Sequence, residues 1–260
     1  MLNAILAVAH KEMVDGMRDV RSLVSALLYA LMGPVVVGLV SRAIPASAKN
    51  GDAVLIGMMS IFTLVAAFVG GMNVAMDLVA GERERRSLLP LLLNPVGRPA
   101  VALGKWLAVG FFALCGLSVN LAGSALVWWN AGMHIPAPTP LSILAVPLAL
   151  APVALLAAAV QLLTSSVCRS TKEAQTYLSM IVFLPMAIGT FLVFSPPAAH
   201  SWIRLLPLAG SQLLLEGFLG TGRAGLLAAL ELGCASLGLT IPALWMVANL
   251  LERDEIVYGN

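Results

Sequence analysis

Six long stretches of this chain carry almost no charge, and the polar residues between them gather into short, separate groups. The apolar stretches are residues 23–40, 53–80, 106–128, 141–167, 176–194 and 224–251. A helix rises about 1.5 Å per residue and hydrocarbon is about 30 Å thick, so each stretch is long enough to cross a bilayer. The pattern predicts an all-α integral membrane protein with six transmembrane helices in one transmembrane domain.

Residues 1–21 follow a different pattern. Leu2, Ile5, Leu6, Ala9, Met13, Met17 and Val20 recur at helical spacing, while Lys11, Glu12, Asp15, Arg18 and Asp19 occupy the other side. Lys11 and Asp15 stand one turn apart. This predicts an amphipathic helix lying along the membrane interface; a solvated helix that merely leads into the first span is the plainer alternative. The segment is too long and too acidic for the charged start of a signal peptide, and Ala46-Ser47-Ala48 follows an apolar run too long for one.

The connecting segments differ in character. Residues 41–52 and 130–140 are short and polar or Pro-rich, and residues 168–175, CRSTKEAQ, form a second small charged loop. Residues 195–223 are too punctuated by Pro and Gly to span, yet 202–219 are largely apolar. They predict short helices at the outer surface or dipping back among the spans.

One segment breaks the apolar pattern sharply. In GERERRSLLPLLLNPVGRPAVALGK, residues 81–105, five charges fall between Glu82 and Arg86, followed by a Leu-rich turn of helix. Each charge costs roughly 2.5–3.5 kcal/mol in hydrocarbon, so the segment has to project from it. Two readings fit: a docking element for a partner, built from Glu82, Arg83, Glu84, Arg85, Arg86, Ser87, Leu88, Leu91 and Leu92, or an ordinary positive-inside loop.

Charge distribution then orients the chain. With six spans and both ends inside, eleven Lys and Arg fall on the inner side (Lys11, Arg18, Arg21, Arg83, Arg85, Arg86, Arg98, Lys105, Arg169, Lys172 and Arg253) and four on the outer (Arg42, Lys49, Arg204 and Arg223). That bias predicts that both termini are cytoplasmic.

Composition narrows the function. The chain of 260 residues is 60% hydrophobic and 11% charged, with mean hydropathy +0.94 and net charge +2, so there is no basic footprint for nucleic acid. Cys115, Cys168 and Cys234, like the three histidines, are scattered, which indicates no metal site and no disulfide frame. No catalytic motif is present. Glu82 and Glu84 beside arginines in full solvent would simply be ionised, and residues 97–105 miss the phosphate-loop spacing. Glu231 is the one acid set clearly within a span, on a surface of small residues from Gly225 to Gly238; it is a candidate for a transport pathway or a dimer seam, or an anchor reaching the outer interface. Asn73, Asn120 and Gln161 read as hydrogen bonds between helices.

In combination, GERERRSLLPLLLNPVGR with LGK, the N-terminal HKEMVDGMRDVRSL, RSTKEAQTYL and the tail LERDEIVYG resemble the ABC type-2 transporter permeases, in particular their NatB-like branch. Each motif is weak alone, but together and in this order they span the chain from Lys11 to Gly259. The resemblance implies an exporter-like fold in which residues 82–93 form a coupling helix that docks on a separate ABC ATPase subunit. It also implies a second copy of the chain or a homologous permease facing this one, and a cap before the last span. ATP and Mg would sit on the ATPase, with no cofactor on this chain. Arg86 and Leu89 depart from the family pattern, and residues 41–52 are too short for the outer domain of sodium-extruding members. A non-transporting module relaying ATPase motion to an outer partner, and a self-contained ion-coupled carrier, are the alternatives; the latter requires an internal repeat, which the two halves lack.

Overall fold

The structure, a computed structural model, describes residues 1–44, 51–85, 97–131, 140–194, 201–221 and 226–252, and every regular element among them is helical. α1 (Leu2–Arg18) and α2 (Val20–Ala43) meet at Asp19. α3 (Gly51–Met76) runs on through a π turn (Asp77–Gly81) into one more α-helical turn (Glu82–Glu84). α4 (Arg98–Ala131), α5 (Pro140–Val167) and α6 (Thr171–Phe194) follow. A 3-10 turn (Ser201–Leu205), α7 (Pro207–Thr221) and α8 (Leu226–Leu250) complete the described chain. α2, α3, α4, α5, α6 and α8 are the six helices long and apolar enough to cross a membrane, and the protein is a multi-pass membrane protein.

α3, α4 and α5 form the centre: 61% and 67% of the apolar windows of α3 and α4 are buried, against 22% for α2, α6 and α8 at the periphery. Exposed Leu, Val, Phe and Met side chains line the outer faces of the peripheral helices. In water such faces would drive aggregation; in a bilayer they meet lipid.

Two glycines set the central crossing. A Cβ on Gly70 of α3 would lie 2.7 Å from the Phe112 carbonyl, and one on Gly116 of α4 would lie 2.9 Å from the Gly70 Cα. The two backbones therefore touch, as small residues permit where no hydrophobic effect drives helices together. One core cluster fills the space on one side of this crossing, with Met59, Leu64, Leu117, Leu150, Leu215 and Leu232. A second, including Val74, Val79, Val109, Phe112, Leu162 and Val247, fills the end where the charges lie.

Polar side chains close gaps in the helical backbones. Pro34 has no N–H to offer the carbonyl of Ala30, four residues back, and Asn120 Nδ2 of α4 donates to that carbonyl at 2.8 Å. Thr63 Oγ1 of α3 lies 3.0 Å from Asn120 Oδ1, so one amide joins three helices. Asn73 Nδ2 donates to Ser25 Oγ at 2.8 Å, and Gln161 Nε2 reaches the Phe68 carbonyl.

Three details add to the sequence reading, and the first corrects it. Asp19 does not continue one amphipathic helix; it caps the start of α2, accepting from Arg21 N at 3.2 Å and from the Ser22 hydroxyl. The neighbouring Trp128 and Trp129 part, Trp128 turning into the core while Trp129 is exposed. α7 is inserted among the spans, with Ser211, Gln212 and Leu215 fully buried.

Candidate functional site

Of the charges that the sequence gathers between Glu82 and Arg86, those of Glu82, Arg83 and Glu84 fold back onto the end of the bundle. The apolar helix that ends in Glu82, Arg83 and Glu84 starts at Gly51 and is 34 residues long, about 51 Å against about 30 Å of hydrocarbon. With Asp52 marking one boundary, the segment from Asp77 onward stands beyond the other. The same arithmetic on α4, counted back from Trp129, puts its first turns outside hydrocarbon too.

Lys105 is the centre of this end. It lies seven residues past Arg98, the first residue of α4, its side chain has no exposure, and all three ammonium donors are used. They reach Glu82 Oε2 at 2.8 Å, the Leu78 carbonyl at 2.8 Å and Glu12 Oε1 at 3.2 Å. Lys11 donates to the same Glu12 oxygen at 3.2 Å and lies 4.0 Å from Glu82 Oε1. Lys105, Glu12, Lys11 and Glu82 thus close a ring of alternating charge. Balanced pairing of this kind is what makes buried charge tolerable.

Glu12 and Glu82 are corrections to the sequence reading, which put both on solvated faces. Their side chains are 3% and 14% exposed. The face of α1 that meets the bundle carries Ile5, Val8, Ala9, Glu12 and Gly16, because Gly104 and Phe112 of α4 approach it there. Leu2, Leu6, Met17 and Val20 remain exposed.

Electrostatics follow from burial and pairing. Burial pushes the Glu82 carboxyl above its ordinary value against the pull of Lys105, and repulsion from Glu12 adds to the rise. For Lys11, burial works downward, but Glu12, Glu82 and Asp15 outweigh it and hold its ammonium above the usual range. Burial also raises Asp77, which Arg85 Nη2 pairs at 3.0 Å. A cleft of about 490 Å³ opens between α1 and this end of α3, lined by Asp15, Asp19, Asp77, Glu82 and Arg85 among others.

The charged turn is also tied to the loop between α5 and α6. Glu84 Oε2 accepts from Thr171 N at 2.9 Å and Thr171 Oγ1 at 2.8 Å, and these bonds hold its carboxyl below the ordinary value. Arg83 Nη1 donates to the Cys168 carbonyl at 3.2 Å. So of the proposed docking residues, Glu82 points into the bundle, Arg83 and Glu84 join the two charged loops, and Arg85 flanks Asp77. Arg86, Ser87, Leu88, Leu91 and Leu92 lie outside the described residues. Of the α1 set, Lys11 and Glu12 join the ring, Asp15 sits beside Lys11 at 3.8 Å, Asp19 caps α2 and Arg18 is exposed.

Glu231 is exposed on α8, on the side away from the bundle. An apolar groove of about 450 Å³ runs beside it between α5, α7 and α8, past Pro152, Gly233 and Cys234, and Glu231 does not line it. No group of His, Cys, Asp and Glu among the described residues could hold a metal ion.

Sequence reasoning missed Lys105, Ser165 and Thr171. A signal for Lys105 existed: Pro99 suits the first turn of a helix, which starts α4 ahead of Lys105 and places it on a helix face.

Comparison with known proteins agrees with this architecture. Residues 6–208 match the family described as ABC-2 family transporter protein. The chain is 36% identical over 158 residues to the ABC transporter permease protein NatB of Bacillus subtilis, covering 56% of this chain and 40% of that protein, so it spans less than half of that relative's length. It is 26% identical over 274 aligned positions to the probable ABC transporter permease protein NosY of Stutzerimonas stutzeri, covering 94% of this chain and 92% of that one. A probable NosY permease of Pseudomonas aeruginosa is 30% identical over 125 residues, 47% of this chain and 44% of its own length. Six apolar helices, a charged end organised on Lys105 and these relatives make one statement: the chain belongs to the ABC-2 family, as a membrane subunit of an ABC transporter.

Proposed function

We propose that this chain is the membrane half of an ATP-driven exporter and that residues 82–92 dock a separate ABC ATPase, which holds the ATP and Mg. The charged end faces the cytoplasm of a bacterial inner membrane in this reading, with both termini inside. The observation that carries it is the double anchoring of the charged turn. Glu82 is bound to Lys105 of α4 and Glu84 to Thr171 at the start of α6, so a push on the turn is delivered to two spans. An ordinary solvated loop has no need of a buried lysine beneath it.

Two copies of the chain, or this chain with a homologous permease, face each other across the membrane. The outward position of Glu231 on α8 supports a role between copies more than a pathway within one copy. It also speaks against a self-contained carrier, whose intramembrane acid should face the bundle interior.

The test is copurification. A tagged form of this chain, expressed with its genomic neighbours, should bring down a soluble ATPase. Replacing Leu88 and Leu91 by Asp should abolish that complex while the protein still inserts in the membrane. An undiminished complex in this variant would move the docking site elsewhere. Orientation is checked separately: cysteines at Ser87 and Thr171 should label only in permeabilised cells, and those at Ser47, Asn130 and His200 from outside.

A further inference from the structure

The helix that carries the charged turn is not α-helical throughout. From Asp77 to Gly81 it winds as a π turn, with the Glu82 N–H bonded back to the Asp77 carbonyl. A π turn holds one residue more than α winding does, and such turns are frequent at functional sites. Rewinding it to α would rotate the residues beyond it by about 100°, one residue's share of a turn of 3.6.

Two contacts from outside the helix hold this winding. Ser165 Oγ of α5 accepts from the Ala80 N–H at 3.2 Å, and its own proton points toward the Met76 carbonyl at 3.5 Å. Lys105 of α4 donates to the Leu78 carbonyl at 2.8 Å. Ala80 and the Lys105 side chain are completely buried, so both bonds are made away from water. The same helices or their loops then hold the residues just beyond the π turn: Lys105 binds Glu82, and the segment after α5 binds Arg83 and Glu84 through Cys168 and Thr171.

We propose that Ser165 and Lys105 are positioning residues for the docking turn, and that the π turn between Asp77 and Gly81 is the joint through which partner movement enters α4 and α5. This rests on the reading that residues 82–92 meet the ATPase. In the observed state the joint is wound π and the turn is drawn against the bundle. Movement of the docked partner unwinds the extra residue, rotates residues 82–85 away from the ring of charge, and breaks the Ser165 and Lys105 contacts with the backbone. Gly81 suits the joint: a Cβ there would meet Asp77 Oδ1 at 3.0 Å, so any other residue would need the Asp77 side chain to give way as the turn passes.

The experiment uses the purified complex of this chain with its ATPase in lipid nanodiscs, without nucleotide and trapped with ATP and vanadate. Amide hydrogen exchange is followed over residues 77–85. In the wild type, exchange should differ by about tenfold or more between the two states, since local opening of a buried turn sets its rate. Ser165→Ala should exchange fast in both states, and Ser165→Thr, which restores the hydroxyl, should recover the difference. Deleting Ala80 removes the extra residue while leaving residues 82–85 facing as they do; it should give slow exchange in both states with the ATPase still bound. If that deletion does not fold, the Ser165 pair decides. Equal exchange in both states of the wild-type complex overturns the joint, and so does a Ser165→Ala complex that responds like wild type. Failure to isolate any ATPase removes the docking reading, and the joint with it; a complex that forms but does not respond removes the joint alone.

Discussion

Lys105 Nζ lies 2.8 Å from Glu82 Oε2, a contact between residues 23 positions apart made by a lysine with no solvent exposure. A buried cation with two carboxylates and a carbonyl around it is worth most when nothing is missing. Lys105→Met should therefore destabilise the protein by about 3–5 kcal/mol, the usual cost of leaving a buried charge without its partner. Adding Glu12→Gln and Glu82→Gln should recover much of that loss. Thermal unfolding in detergent measures both, and a triple variant no more stable than the single one would mean that lost packing, rather than charge, is responsible.

Glu82 makes a pH prediction of definite sign. Its carboxyl is raised in the folded protein by burial, so the folded state binds the proton more tightly than the unfolded chain. Its contribution to stability is fully present below the ordinary glutamate value and is lost as pH rises through the raised one. Glu82→Gln cannot make that change. The variant should gain on the wild type as pH rises from the acid side to neutrality, read as the difference in Tm between the two. A difference that stays constant with pH, or shrinks as pH rises, would contradict this balance.

A third prediction concerns the backbone gap at Pro34. Asn120→Leu leaves the Ala30 carbonyl without its donor in a buried setting, at a cost of about 1–3 kcal/mol. In a Pro34→Ala background the new N–H at position 34 can serve that carbonyl, so the same substitution should cost less. The double-mutant cycle should give a coupling of about 1 kcal/mol. Additive effects would show that Asn120 serves chiefly its contact with Thr63.

Glu231 is tested by the amide. On an outward face of α8, a residue serving contact between two copies should respond to Glu231→Gln with lower ATPase activity of the complex at an unchanged amount of folded protein. Equal activity at equal expression would remove it from the functional residues.

The fold class was legible because hydropathy and length decide which helices cross a membrane, and residues 82–86 stood out because charge is so costly there. Asn73, Asn120 and Gln161 were readable as interhelical bonds on the same ground. What hid from the sequence depends on three-dimensional approach. Glu12 lies among charges that point outward, and only the close contact of Gly104 with α1 turns it in. Lys105 looks like a loop residue unless Pro99 is taken as the start of a helix. The π turn leaves no mark in sequence at all, because its support comes from Ser165, 85 residues beyond Ala80.

The crossing of Gly70 over Gly116 has a mechanical consequence. Two stiff rods in backbone contact near their middles cannot be pressed closer there, so that point serves as a fulcrum. When the end bearing Glu82 and Lys105 swings one way, the far ends of α3 and α4 have to swing the other. A lever of this kind converts a small push at one membrane surface into an opposite displacement at the other, without either helix bending. Filling the notch with a methyl group at Gly116 would not merely loosen the core; it would shift the pivot and change the throw at both ends.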